Sequence, residues 1–324
     1  MQANNTAVYA PTLRTFYREE MVAPLQAGTS RSPLKPRLLI ERGGALGFVR
    51  LLQVDRYWQP FGKEDFLQAH TRDYVEAFFN GDLPLAESNS IGYSPAFADS
   101  VRYTNASLYH AIAAANRNPG QITFSPTSGF HHAQPERGGG FCTFSGQVIA
   151  SLKLWHDKQL VGAYVDLDGH YGNSIEDSRA FAPELDQAVP RQYHINPAGS
   201  HRAYLHDLSN RLVPLKDALL EKRVHYVVLC HGADSHEWDD LGGQLDTEEW
   251  LEAARLVYAT VREAAGQIGH VPFTLALFGG YRSDHYESVL DLHWASLCLA
   301  LKNLAQLPGD FKPTVARPRR RIYA

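Results

Sequence analysis

Asp166-Leu167-Asp168-Gly169-His170 closes an apolar run and groups three metal-capable side chains within five residues. On a strand, positions i, i+2 and i+4 share one face, so Asp166, Asp168 and His170 project toward one point. That spacing predicts a metal site. Two other segments, each following its own apolar run, are placed to converge on it: the tandem His131-His132 and Gly232-Ala233-Asp234. A hydrolytic metal needs a few protein ligands and an open position for water, and Asp and His are ordinary zinc ligands. The best set is Asp168, His170 and Asp234, because two carboxylates neutralise a divalent ion inside a buried site. Asp166 is then left as an acid that accepts a hydrogen bond from a histidine and holds its tautomer. Together the three segments suggest a hydrolase.

His131 and His132 lie between Ser128-Gly129-Phe130 and Ala133. Adjacent histidines diverge on a regular strand, but both can face a cavity from a loop. One could take the proton from activated water, and the same ring or its neighbour could return it to a leaving nitrogen. Tyr281, after Gly279-Gly280, offers a hydroxyl for a developing oxyanion. Each feature also has a bland reading. Tandem histidines are often structural, strand-end acids are often solvated, Phe130 and Phe141 are ordinary core residues, and Tyr281 is one of 16 tyrosines. Packing alone does not explain why separate strand ends all carry the residue types one reaction needs. His70, His110, His194, His201 and His293 are left as structural or surface residues.

These groups must be held by a framework, and the chain supplies one. Short apolar runs at 121–124, 160–165, 224–229 and 273–277 read as strands buried on both faces. Apolar residues recur at helical spacing over 63–79, 97–116, 146–156, 202–222, 247–265 and 283–305. Asp246-Thr247-Glu248-Glu249 opens one helix with a capping residue and acids suited to its N-terminal dipole. Strands alternating with helices predict an α/β fold with a mainly parallel sheet, whose ligand crevice lies at the carboxyl ends of the strands. No internal repeat or linker divides residues 1–324, so a single domain is expected. Residues 1–35 read as an irregular arm, and residues 315–324 as a basic tail carrying Arg317, Arg319, Arg320 and Arg321.

Composition narrows the class of protein. With 44% hydrophobic and 20% charged residues, the chain is an ordinary globular protein. A net charge of -4 gives no general reason to bind nucleic acid or an anionic membrane. No apolar run reaches the roughly 18 residues that span a bilayer. Cys142, Cys230 and Cys298 are odd in number and widely spaced, which argues against a disulfide framework and fits a reducing, cytoplasmic setting.

Taken together, the motifs resemble the zinc-dependent histone deacetylase superfamily, which includes acetylpolyamine amidohydrolases and related bacterial deacetylases. The match runs from Gly129-Phe130-His131-His132-Ala133 and Gly139-Gly140-Phe141-Cys142 through Asp166 to Asn173. It continues at Gly232-Ala233-Asp234-Ser235-His236 and closes at Gly279-Gly280-Tyr281. Weaker similarity extends upstream through His70 to Tyr74 and Ile91 to Pro95. The resemblance implies an arginase-deacetylase α/β fold with a sheet of about eight strands. It implies one zinc ion per chain on Asp168, His170 and Asp234, with His131 paired to Asp166 and His132, the expected general base and acid, paired to Asn173. It further implies that Tyr281 polarises the scissile carbonyl, that Phe141 walls an acyl channel, and that Gly140 meets substrate through its backbone. A structural potassium ion near Asp166 and the carbonyls of Asp168 and His170 belongs to the same expectation.

Departures from the family pattern bear on substrate. At the rim, where many protein deacetylases carry Tyr-Asp-Cys-Pro with an Asp that grips substrate backbone, this chain has Gly92-Tyr93-Ser94-Pro95. Tyr171 stands where a second histidine is usual, and the segment between Asn173 and Val224 is short and divergent. A small-molecule amide or acetylpolyamine is therefore favoured over acetyl-lysine in protein. An arginase-like dinuclear manganese enzyme is disfavoured, because extra aspartates for a bridged second metal are not evident. A non-catalytic acyl-ligand sensor is the alternative from another class. Acyl chain length and assembly into a homo-oligomer are left open.

Overall fold

Apolar runs buried on both faces become the central strands of one parallel sheet. The computed structural model describes residues 8–24, 30–309 and 311–318. Its seven strands are β1 (Leu13–Phe16), β2 (Leu52–Asp55), β3 (Ile122–Ser125), β4 (Gly162–Asp166), β5 (His194–Ile195), β6 (Tyr226–Cys230) and β7 (Phe273–Ala276), in the spatial order β2-β1-β3-β7-β6-β4-β5. Every pairing is parallel. The fold class expected from sequence is the one observed, with seven strands where about eight were expected.

The described residues form ten α-helices, the longer of which cover the sheet: α1 (Lys35–Ala45), α2 (Lys63–Phe66), α3 (Arg72–Asn80), α4 (Pro95–Arg117), α5 (Gly146–Lys158), α6 (Ser174–Asp177), α7 (Leu185–Ala188), α8 (His201–Leu220), α9 (Thr247–Ile268) and α10 (Tyr286–Ala305). Side-chain alternation sorts the core into two layers. In β6, Val227 and Leu229 pack with α8, α9 and α10 on one face, while Tyr226, Val228 and Cys230 pack with α4 and α5 on the other. Local chemistry fixes the helix starts. Ser94 accepts from the Phe97 N–H at 3.1 Å ahead of Pro95, and Asp246 and Glu249 form a reciprocal capping box at 2.9 and 3.1 Å, caps worth about 1 kcal/mol each.

Two sequence expectations need correction. The arm at 1–35 is not wholly irregular: Leu13–Phe16 forms an interior strand between β2 and β3, and Lys35 opens α1. Residues 1–7 and 25–29 of that arm, and Arg319, Arg320 and Arg321 of the predicted tail, lie outside the described residues. The single helix predicted over 63–79 is two helices, because Thr71 caps α3 by accepting from the Tyr74 N–H at 3.4 Å while His70 leaves the helical path to bond elsewhere. Among the described residues no helix is long and apolar enough to cross a membrane.

β3, β7, β6 and β4 are consecutive in the sheet, and Ser125, Ala276, Cys230 and Asp166 stand in one register row across them. The residues that follow that row therefore emerge side by side on one rim.

Candidate active site

Four loops leave that rim, each carrying candidate chemistry. Asp168 and His170 follow β4, Asp234 follows β6, Tyr281 follows β7, and the His131-His132 loop follows β3. One potential ligand atom from each of Asp168, His170 and Asp234 lies within 4.8 Å of the others. Backbone donors aim the acids: the Gly279 N–H reaches Asp168 Oδ2 at 2.7 Å and the Gly169 N–H reaches Asp234 Oδ1 at 3.0 Å. Gly279 is required for space, since a Cβ there would stand 2.3 Å from the Asp234 carboxyl carbon. Behind Asp234, Trp250 of α9 donates its indole N–H to the Gly232 carbonyl at 3.0 Å and stacks on His231 with ring centroids 3.7 Å apart.

The chemistry of this triad fits a divalent cation. Asp168 and Asp234 are buried acids, and the His170 Nδ1–H lies between them at 3.1 and 2.9 Å. Those two hydrogen bonds raise the His170 pKa to about 10, so an imidazolium supplies the positive charge that two neighbouring carboxylates demand. Burial, then the adjacent Asp168 charge, pushes Asp234 up to about 7. Burial also opposes ionisation of Asp168, but His131, His170 and the Gly279 N–H outweigh it and hold the acid below the usual range.

The tandem histidines have different supports. His131 is buried, and its Nδ1–H donates to Asp166 Oδ2 at 2.9 Å. His132 is half-buried, and its Nδ1–H donates to Asn173 Oδ1 at 2.8 Å. Burial works against a charged His131, yet Asp168 and Asp166 overcome it and raise the ring to about 9. Burial and the charge on His131 lower His132 instead. The two environments thus separate a cationic ring from a neutral base. The Asn173 amide cannot easily flip, because its nitrogen donates to Asp177 Oδ2 at 2.5 Å.

Phe141 and Tyr281 face each other with centroids 5.4 Å apart, and Tyr281 lies 6.4 Å from the His170 ring. Burial, with Asp168 and Asp234 nearby, raises the Tyr281 phenol well above its ordinary value, so it stays a proton donor. Gly140 has φ +50°, and a Cβ there would meet the His132 ring at 2.5 Å. Phe141 holds the left-handed φ of 62°, anchored by its N–H to the Asn89 carbonyl at 2.9 Å; such backbone strain concentrates at functional sites.

The structure thus brings all ten site residues expected from sequence onto one rim, and it adds others. Asp239 accepts the Tyr281 backbone N–H at 2.7 Å. Lys35 is buried, donates to the Phe278 carbonyl, and lies 6.0 Å from the Tyr281 ring centroid; burial lowers its pKa to about 8. Asp177 locks Asn173. Lys35 escaped notice because it falls at the edge of a segment without periodicity. For Asp239 and Asp177 the only sequence signal is proximity to Asp234 and Asn173.

Comparison with known proteins agrees with the geometry. The family model described as "Histone deacetylase domain" matches residues 38–185, a span that holds His131 through Asn173 but not Asp234 or Tyr281. Histone deacetylase 8 of Xenopus tropicalis is 22% identical over 232 residues, covering 66% of this chain and 60% of the relative. Probable histone deacetylase 1-A of Xenopus laevis is 26% identical over 164 residues, covering 45% and 33%. The alignments therefore span less than two thirds of these relatives. The crystal structure of the HDA15 HD domain superposes with a TM-score of 0.69 at 17% identity, over 94% of this chain and 91% of that one, a likeness of fold. The family match thus covers the histidine loop and the first aspartate motif, the remaining site residues reach the same rim, and the chain is similar to histone deacetylases in that segment and in fold.

Proposed function

We propose that this protein is a zinc-dependent deacetylase that hydrolyses an N-acyl amide, chiefly an acetyl amide, to a carboxylic acid and an amine. The observation that carries the reading is the convergence of Asp168, His170 and Asp234 within 4.8 Å, beside two histidines of opposite proton affinity. Zinc held by these three side chains would supply Lewis acidity to the acyl carbonyl and to the attacking water. His132 Nε2, free because Nδ1–H is committed to Asn173, takes the proton of that water and returns it to the leaving nitrogen. Asp166 holds the His131 cation beside the developing negative charge, and the Tyr281 hydroxyl donates to the carbonyl oxygen as its charge grows. Phe141 and Gly140 bound the approach to His132. A structural potassium ion on Asp166 and the carbonyls of Asp168 and His170 is part of this proposal, as is a cytoplasmic setting.

A small-molecule amide is the favoured substrate. Ser94, in the rim segment Gly92-Tyr93-Ser94-Pro95, spends its hydroxyl as the cap of α4, and the Tyr93 N–H is taken by Glu87 at 2.9 Å. That segment presents no carboxylate to grip a peptide backbone. The second reading, acetyl-lysine in protein, draws its support from relatives named as histone deacetylases. The test is a purified, zinc-loaded protein assayed on acetyl-lysine peptides, acetylated polyamines and small N-acyl amines, with a chelator control. His132→Ala and Tyr281→Phe should each reduce kcat by about a hundredfold or more with the fold intact; near-normal rates remove their roles. One zinc per chain distinguishes this enzyme from a dinuclear manganese hydrolase. Acyl-amide binding without any turnover would instead mark a ligand sensor.

A further inference from the structure

We infer that the cleft beside His132 receives the α-amino-acid end of a free Nω-acyl diamino acid, so that the substrate is an acylated lysine- or ornithine-like amino acid rather than a residue within a polypeptide. Its chemistry rests on the deacetylase reading above; its binding does not. The cleft encloses about 650 Å³ and is lined by Leu83, Pro84, Glu87, His132 and Arg137, among others, a size suited to a small ligand.

Two of those residues carry opposite charges, and each is fixed by one hydrogen bond that leaves the rest of the group available. Arg137 ends a tight turn in which the Gln134 N–H reaches the Arg137 carbonyl at 2.9 Å. Its Nε donates to Gln134 Oε1 at 3.1 Å, and its two terminal nitrogens have no protein partner among the described residues. Glu87 Oε1 accepts the Tyr93 N–H at 2.9 Å, which leaves Oε2 open. A preset guanidinium fork matches a carboxylate, and the free carboxylate oxygen matches an ammonium.

A free α-amino acid offers both groups on one carbon. A lysine inside a polypeptide has converted both to amides, and an acetylpolyamine would bring only positive charge toward Arg137. Leu83 and Pro84 give the cleft apolar wall for the intervening methylenes. Arg137 also shares a scaffold with the base: Gln134 Nε2 donates to Asp177 Oδ2 at 3.1 Å, Asp177 holds Asn173 at 2.5 Å, and Asn173 holds His132 at 2.8 Å. The group that reads the carboxylate is thereby kept in register with the group that moves the proton.

The experiment uses the zinc-loaded protein and four probes: Nε-acetyl-lysine, its α-carboxamide, N-acetylcadaverine and Nε-acetyl-lysine within a blocked peptide, with Nδ-acetyl-ornithine as a length control. Both kcat/KM and, by calorimetry, Kd are measured. The free amino acid should exceed the carboxamide and N-acetylcadaverine by about tenfold or more in both quantities. Arg137→Ala should bring the acid-to-carboxamide ratio close to one, and Glu87→Gln should reduce the preference for the α-ammonium. Turnover with equal constants for acid and carboxamide, or a preference for the blocked peptide, overturns the assignment. No turnover on any probe, with the Kd preference retained and lost in Arg137→Ala, supports the cleft and refutes the deacetylase reading. No turnover and no Kd preference refutes both.

Discussion

Asn173 turns its side-chain carbonyl toward His132 Nδ1 at 2.8 Å, so the proposed base is backed by a neutral dipole, whereas Asp166 backs His131 with a charge at 2.9 Å. A neutral partner fixes the ring's tautomer without stabilising the imidazolium. Asn173→Asp should therefore raise the His132 pKa and move the acid limb of kcat/KM upward by about one pH unit or more. A pH–rate profile measures this. An unmoved limb would show that His132 is not the titrating base.

Asp239 offers both carboxylate oxygens to backbone, one to the Tyr281 N–H at 2.7 Å and one to the Leu241 N–H at 3.0 Å. It ties the loop carrying Tyr281 to the loop that follows Asp234. Asp239→Ala should reduce kcat by about tenfold, because a loosened oxyanion donor is worth less in the transition state. Asp239→Asn, which keeps an acceptor, should recover part of the loss. A fall in Tm with kcat unchanged would assign Asp239 a purely structural role.

Two buried acids close together repel one another, and a divalent ion that binds only the folded state removes that repulsion. Adding zinc to metal-stripped protein should raise Tm by several degrees at saturation. Asp168→Ala should abolish both the shift and the bound zinc, read by calorimetry and elemental analysis. A shift that persists in this variant would place the ion elsewhere.

Legibility in the sequence followed the range of the forces involved. Strands β3, β4, β6 and β7 are apolar-rich and buried along their whole length, and the acids and histidines at their ends stand out because charge at the close of such a run has little packing value. β1 was lost because Leu13-Arg14-Thr15-Phe16 is too short and mixed for periodicity, although its burial between β2 and β3 is nearly complete. The break between α2 and α3 was lost because apolar spacing continues across it, and what interrupts the helix is a tertiary demand on His70. Asp177 and Asp239 act on Asn173 and Tyr281 through single hydrogen bonds set by loop geometry, which spacing does not encode.

His70 is buried, its Nδ1–H donating to the Gln134 carbonyl at 2.9 Å and its Nε2 accepting the Ser145 N–H at 2.9 Å. Both bonds exist only for the neutral ring, since a protonated Nε2 would face another donor. Burial holds its pKa at about 4, below the ordinary 6.5. At lower pH the unfolded chain binds a proton there that the folded state refuses, so this contribution is complete above pH 6.5 and is lost as pH falls toward 4. The loss amounts to about 3 kcal/mol. His231, lowered to about 3 by burial, acts in the same direction. Urea unfolding at a series of pH values should show stability falling through this window. His70→Gln should flatten the fall by nearly one proton, at the expense of a lower plateau above pH 7. Parallel curves for the variant and the parent would mean that the imidazole is already charged in the folded protein, and that Gln134 and Ser145, which flank the histidine loop, are held by something other than this ring.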